Sequence, residues 1–162
     1  MIVKSQIGNV ANVANFANVA NFANAQCFRE KDEVDWRNWK PKRGEIYLVN
    51  LDKDQILNEN KSSIFRGTRP VLIVSNDINN AFSSVIQFAP ITSNMSKGKI
   101  PVHVKLDSSD KMKLISFVCL EQTRCIEKSS FLINGNIIKI TELNKKRMCE
   151  IDSAIKIQFG LV

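Results

Sequence analysis

The sequence predicts a small, mainly β protein: an antiparallel β-barrel closed by one C-terminal α-helix, behind a low-complexity N-terminal extension. Three observations carry that expectation. Short apolar segments of strand-like period follow one another closely between Glu45 and Ile140, with polar turn residues between them. Apolar residues take up helical spacing only near the end, from Leu143 to Ile155. Residues 9 to 26, by contrast, run Asn-Val-Ala and Asn-Phe-Ala with a period of three, which suits neither element.

On a helix that triplet stripe would slip about 60° per repeat and wind around the cylinder instead of forming one buried face. The tract therefore reads as an extension that is either disordered or marginally helical, with an oligomerisation or docking strip as the alternative. Residues 27 to 40 form a charged connector in which Trp36 and Trp39 share one side of a helical turn and pack on the domain, taken to span 41 to 162. The domain begins with a strand over Glu45–Leu51, and a long polar loop runs from Asp52 to Ser63. Pro70–Ser75 is apolar enough for a buried strand, Asn76–Asn80 turns the chain, and Val85–Ile91 is the next strand. Ile100–Leu106 alternates, with Val102, Val104 and Leu106 on one face and His103 exposed beside Lys105 on the other. Ile115–Leu120, Arg124–Ile126 and Asn136–Ile140 complete the barrel. Thr141 is a suitable N-cap for the last helix, Glu142 suits its first turn, and Leu143, Arg147, Ile151 and Ile155 would seal one barrel end.

A chain of 162 residues allows one domain plus an appendage. Cys27, Cys119, Cys125 and Cys149 form no Cys-x-x-Cys pair and have no histidine near them in sequence, which argues against a zinc site or a disulfide framework and for buried, reduced thiols. No apolar run approaches the ~20 residues that cross a bilayer, and the N-terminus lacks signal-peptide features, so a cytoplasmic protein is expected. The net charge of +7 is uneven: residues 1–40 carry five basic and four acidic side chains, and 41–162 carry eighteen and twelve, so +6 lies on the domain. A polyanionic partner suits that excess.

Five segments of the domain resemble the MazF/PemK family of toxin endoribonucleases. They are Lys42-Arg43-Gly44-Glu45-Ile46-Tyr47, Gly67-Thr68-Arg69-Pro70 through Asp77, Ala89-Pro90-Ile91-Thr92-Ser93, Ile100-Pro101-Val102-His103-Val104, and Leu120-Glu121-Gln122-Thr123-Arg124-Cys125-Ile126, in family order over residues 41 to 159. The resemblance implies an SH3-like barrel of MazF/CcdB type, a symmetric homodimer, sequence-specific cutting of single-stranded RNA, and inhibition by an acidic, partly disordered antitoxin. It assigns catalysis to Arg69 and Thr92, and places Ser116 and Gln122 along the RNA groove. Thr68, Ser93 and Arg124 are further RNA-binding candidates. The chain departs from the family at Ser62-Ser63-Ile64-Phe65-Arg66, where members often carry an acidic residue and a glutamine; here Phe65 would stack on a base and Arg66 hold a phosphate, or Phe65 would tuck against the barrel.

RNA cleavage by the adjacent 2′-hydroxyl needs a proton acceptor, a proton donor for the 5′-oxygen, and positive charge near the phosphorane. His103 is the single histidine, too few for a paired-imidazole mechanism. The acidic residues do not cluster as Mg²⁺ ligands, and the spacing of His, Cys and Asp shows no metal constellation, so no cofactor is expected. Arg69 can grip two phosphate oxygens, and Thr92 adds a neutral donor. Arginine is a reluctant base, its pKa lying above about 12, so its role in proton transfer is an open expectation. A CcdB-like gyrase poison and a non-catalytic RNA-binding barrel are the rival readings.

Overall fold

A computed structural model describes residues 35–54, 64–94 and 100–161. The triplet repeat, most of the charged connector with Cys27, and most of the loop expected up to Ser63 lie outside the described residues.

Strands β1 (Glu45–Asn50), β2 (Thr68–Ile73) and β3 (Val85–Thr92) form an antiparallel meander. β4 (His103–Leu106), β5 (Ser116–Cys119) and β6 (Arg124–Glu127) follow, and β9 (Lys139–Glu142) closes the far edge against β1. The path across the sheet is β4-β5-β3-β2-β1-β9, with β6 also paired to β3. β3 is thus the spine: one of its edges holds β2, while the other is shared between β6, along Val85–Phe88, and β5, at Ile91 and Thr92. The one-turn 3₁₀ helix Leu120–Gln122 carries the chain from one half of that edge to the other. A sheet rearranged in this way must curl, and the result is a curved half-barrel.

The alternation along the strands sorts side chains into two apolar clusters. One holds Ile46, Leu72, Ala89, Ile91, Val104, Leu106 and Val118. The other holds Tyr47, Val49, Phe65, Val71, Ile73, Phe88, Cys119 and Phe131. The C-terminal helix, α2 (Lys145–Gln158), covers the first cluster with Ile151 and Ala154, preceded by Leu143. Trp39 packs on the second, its ring 5.0 Å from Tyr47 and 4.8 Å from Phe131, so the domain's packing reaches back past residue 41. Trp36 does not join it in either cluster; its ring carries Arg37.

Three expectations about elements change. Asn76–Asn80 is not a simple turn: Asn76 caps a short helix, α1 (Asp77–Phe82), by accepting the Asn79 N–H at 2.8 Å. Thr141 and Glu142 do not start α2, because they stand opposite Ile46 and Glu45 in the β1–β9 ladder, and Asn144 caps the helix instead. The strand expected over Asn136–Ile140 is divided: β7 (Leu132–Ile133) and β8 (Asn136–Ile137) form a hairpin around Asn134 and Gly135, both at positive φ, before β9 begins.

Candidate active site

The loop leading into β2 and the turn between β5 and β6 meet at Phe65. Its N–H donates to the Gln122 side-chain oxygen at 2.9 Å, and its carbonyl accepts from the Arg124 guanidinium at 2.8 Å. Its ring is 8% exposed, and the Arg69 guanidinium carbon stands 4.7 Å from the ring centroid. Gly67 then redirects the chain into β2 at φ +74°, with its N–H on the Asp52 carboxylate at 2.8 Å. An added methyl there would meet open space, so what the position demands is the left-handed backbone.

Arg69 is half-buried, and its Nε donates to the Arg66 carbonyl at 2.7 Å. That bond orients the guanidinium, and among the described residues no hydrogen bond engages its two terminal nitrogens. Burial pushes the Arg69 pKa below the usual arginine value and the neighbouring Arg124 adds to the effect, while Asp52 and Cys119 oppose it. Arg66, whose carbonyl accepts the bond from Arg69, has its own Nε shielded from solvent without a hydrogen-bond partner among the described residues.

β2 and β3 pair as Ile73 with Phe88, Leu72 with Ala89 and Val71 with Pro90. Carried onward, that register sets Arg69 across from Thr92, and the pleat puts both on the face of Val71, Ile73 and Phe88. Thr92 is 7% exposed, and its Oγ1 accepts the Asn94 N–H at 3.2 Å. Thr92 is thus largely covered, as Ser116 is, and its hydroxyl must be uncovered before it can meet an oxyanion. The arrangement brings together an arginine whose pKa is lowered by burial, Arg124 close enough to add to that effect, and a largely covered hydroxyl on the adjoining strand.

Residues 42–159 match the family model described as PemK-like, MazF-like toxin of type II toxin-antitoxin system. The chain belongs to this toxin family. It is 37% identical over 121 residues to an endoribonuclease MazF of Staphylococcus saprophyticus, the match covering 74% of this chain and 92% of that protein. A MazF of Staphylococcus epidermidis is 35% identical over the same shares. Among solved structures, an endoribonuclease from a mycobacterial species has a TM-score of 0.56 at 21% identity, covering 75% of this chain and 93% of its own. A MazF from Deinococcus radiodurans has a TM-score of 0.56 at 19% identity, with 75% and 98% covered. These two show a shared fold.

In this toxin the residues singled out from sequence have uneven surroundings. Thr68, which opens β2, and Ser93, just beyond the end of β3, are exposed. Gln122, in the 3₁₀ turn, and Arg124, which opens β6, converge on Phe65. Phe65 does not offer its face to a base, because its ring lies in the apolar cluster under Arg69. Ser116 does not line a groove: it is 5% exposed, and its hydroxyl donates to the Leu114 carbonyl at 3.0 Å. His103 is not an exposed strand residue; its side chain is fully covered, with Nε2 2.8 Å from Glu121 Oε2. Of the described cysteines only Cys119 is buried, while Cys125 and Cys149 are exposed because they fall on the outward side of β6 and α2. The absence of a metal-like constellation also needs correction, since His103, Cys119 and Glu121 bring their ligand atoms within 4.8 Å of one another. No sequence spacing announces that trio; the β4–β5 register, which pairs His103 with Cys119, creates it.

Proposed function

We propose that this toxin is an endoribonuclease that cuts single-stranded RNA, mRNA included, at short sequence motifs, without a metal ion, by attack of the 2′-hydroxyl on the adjacent phosphate. The observation that carries the reading is the Arg69 guanidinium, held by the Arg66 carbonyl and lying on the Phe65 ring. The attacking oxygen loses its proton, a bond forms to phosphorus, and the 5′-oxygen leaves with a proton. The products are a 2′,3′-cyclic phosphate and a 5′-hydroxyl.

Arg69 stabilises the charge that gathers on the phosphoryl oxygens, and Thr92 donates a neutral hydrogen bond to the same group. The lowered Arg69 pKa makes proton transfer through this residue easier than for an exposed arginine. Arg66 and Arg124 hold flanking phosphates, Thr68, Ser93 and Gln122 meet the RNA around them, and Phe65 positions Arg69 from below.

The nuclease domain spans 41–162 with Trp39 packed on it, and the rest of residues 1–40 act as an extension. The working unit is a homodimer in the cytoplasm; among the described residues no helix is long and apolar enough to cross a membrane. Its activity is restrained by an acidic antitoxin segment that orders over the arginines. Related structures include a mycobacterial endoribonuclease in complex with its cognate antitoxin. Sequencing of RNA fragment ends after incubation in EDTA tests the reading: the wild type gives recurrent cut sites and Arg69→Ala gives none. Cleavage that requires added Mg²⁺, or that survives Arg69→Ala, overturns it.

A further inference from the structure

His103, Cys119 and Glu121 make a compact donor set that the proposed cleavage does not use. His103 and Cys119 face each other across the β4–β5 ladder, and Glu121 follows in the adjoining 3₁₀ turn. Imidazole nitrogen, thiol sulfur and carboxylate oxygen all lie within 4.8 Å of one another. Two of the donors are already in contact, Nε2 and Oε2 being 2.8 Å apart. The histidine side chain is 0% exposed and the glutamate 27%, so the cluster is walled on one side and open to solvent on the Glu121 side. Cys119 itself is 0% exposed.

We propose that these three residues bind a thiophilic divalent cation of the Zn²⁺ class. The donor chemistry selects it: thiolate and imidazole favour Zn²⁺ or Co²⁺, whereas Mg²⁺ and Ca²⁺ require oxygen ligands. Zinc bonds of about 2.0–2.3 Å put tetrahedral ligands roughly 3.5 Å apart, so Nε2 and Oε2 must part from 2.8 Å while the widest-spaced donors, within 4.8 Å, draw in. The Glu121 side chain, at the open edge, can make that movement by changing rotamer. Binding removes the proton from Cys119 Sγ and displaces the hydrogen shared between Nε2 and Oε2, and solvent takes up what is released. Three protein ligands leave a fourth position, which water fills from the open side.

The site is separate from the nuclease reading. It borders the candidate catalytic residue, however, because Cys119 lies close enough to Arg69 to influence its charge, and Glu121 adjoins Gln122, which holds the Phe65 loop. A bound cation would pin the Leu120–Gln122 turn.

The test uses the full chain, stripped with chelator and titrated with Co²⁺ as a spectroscopic probe, with Zn²⁺ in competition. The expected result is one equivalent of tetrahedral Co²⁺ with a thiolate-to-cobalt charge-transfer band that Zn²⁺ abolishes. A variant retaining Cys119 as its sole cysteine (Cys27→Ser, Cys125→Ser, Cys149→Ser) keeps the band. Glu121→Gln, a partly exposed change that need not disturb folding, weakens binding by roughly tenfold or more, and Zn²⁺ raises its Tm less than that of the wild type. No charge-transfer band in the wild type, loss of the band in the sole-cysteine variant, or unchanged affinity in Glu121→Gln overturns the proposal.

Discussion

Arg69 combines two properties that rarely coincide in an arginine: fixed geometry and a depressed pKa. Arg69→Lys keeps a positive charge but loses the planar fork, so cleavage should fall by about 10²–10³-fold with a smaller loss of RNA binding; equal losses in both would mean that the residue only holds substrate. If Arg69 also moves the proton, its neutral fraction grows with pH, so the rate should climb steadily into the alkaline range. A plateau set by a group titrating in the carboxylate range would assign the base elsewhere. Glu45 offers a separate check on residue-scale electrostatics. Burial raises its pKa, but the Lys139 ammonium, the Lys42 N–H and the Tyr47 hydroxyl outweigh burial and hold it below its ordinary 4.5. A depressed carboxylate stabilises the fold above its unfolded pKa and loses that contribution as pH falls through the folded one. Acid unfolding of Glu45→Gln should therefore depend less on pH below about pH 4.5 than that of the wild type.

At the scale of elements, α2 is attached by polar as well as apolar contacts. Arg147 Nε donates to both carboxylate oxygens of Asp110, at 3.0 and 3.1 Å, and Asp110 is 3% exposed in the connection between β4 and β5. Arg147→Ala leaves that buried carboxylate only the Asp107 N–H as partner among the described residues, and denaturant melts should show a loss of about 3 kcal/mol. Asn144→Ala removes only the cap on the Arg147 N–H and should cost about 1 kcal/mol. A reversed order of these two effects would show that the cap, not the ion pair, anchors the helix. The loop before β2 is held differently, through one buried aromatic: Phe65→Ala empties a site in the second cluster at a cost of about 3–5 kcal/mol and removes the surface on which Arg69 rests.

For the whole molecule, the positive excess of the domain and the grouping of Arg66, Arg69 and Arg124 imply RNA binding by counterion release. The log–log dependence of affinity on salt should flatten by about 0.7 for each of Arg66→Ala and Arg124→Ala, at every RNA sequence alike; a sequence-dependent change would make either residue a base reader. The strands were legible in the sequence because burial on a curved sheet enforces period two, whereas Arg69 was singled out only through the family motifs, an Arg-Pro pair in a strand being too common to mark a site by itself. The hairpin at Asn134-Gly135 was not legible, since the sequence predicts a single strand over Asn136–Ile140. The start of α2 was less legible, since Thr141 is as good a cap in isolation as Asn144 and only pairing with β1 commits it to a strand. Phe65, Ser116 and His103 could not be placed by local pattern, because each is polar or apolar to the same degree whether covered or open. By itself, the sequence determined the strand alternation, the family motifs and the cationic character of the domain, all of which are local or compositional. Only the tertiary structure decided that Phe65 supports Arg69, that Ser116 turns inward and that His103 meets Cys119 and Glu121, because those contacts come from strand register and from the loops that cross the sheet edge.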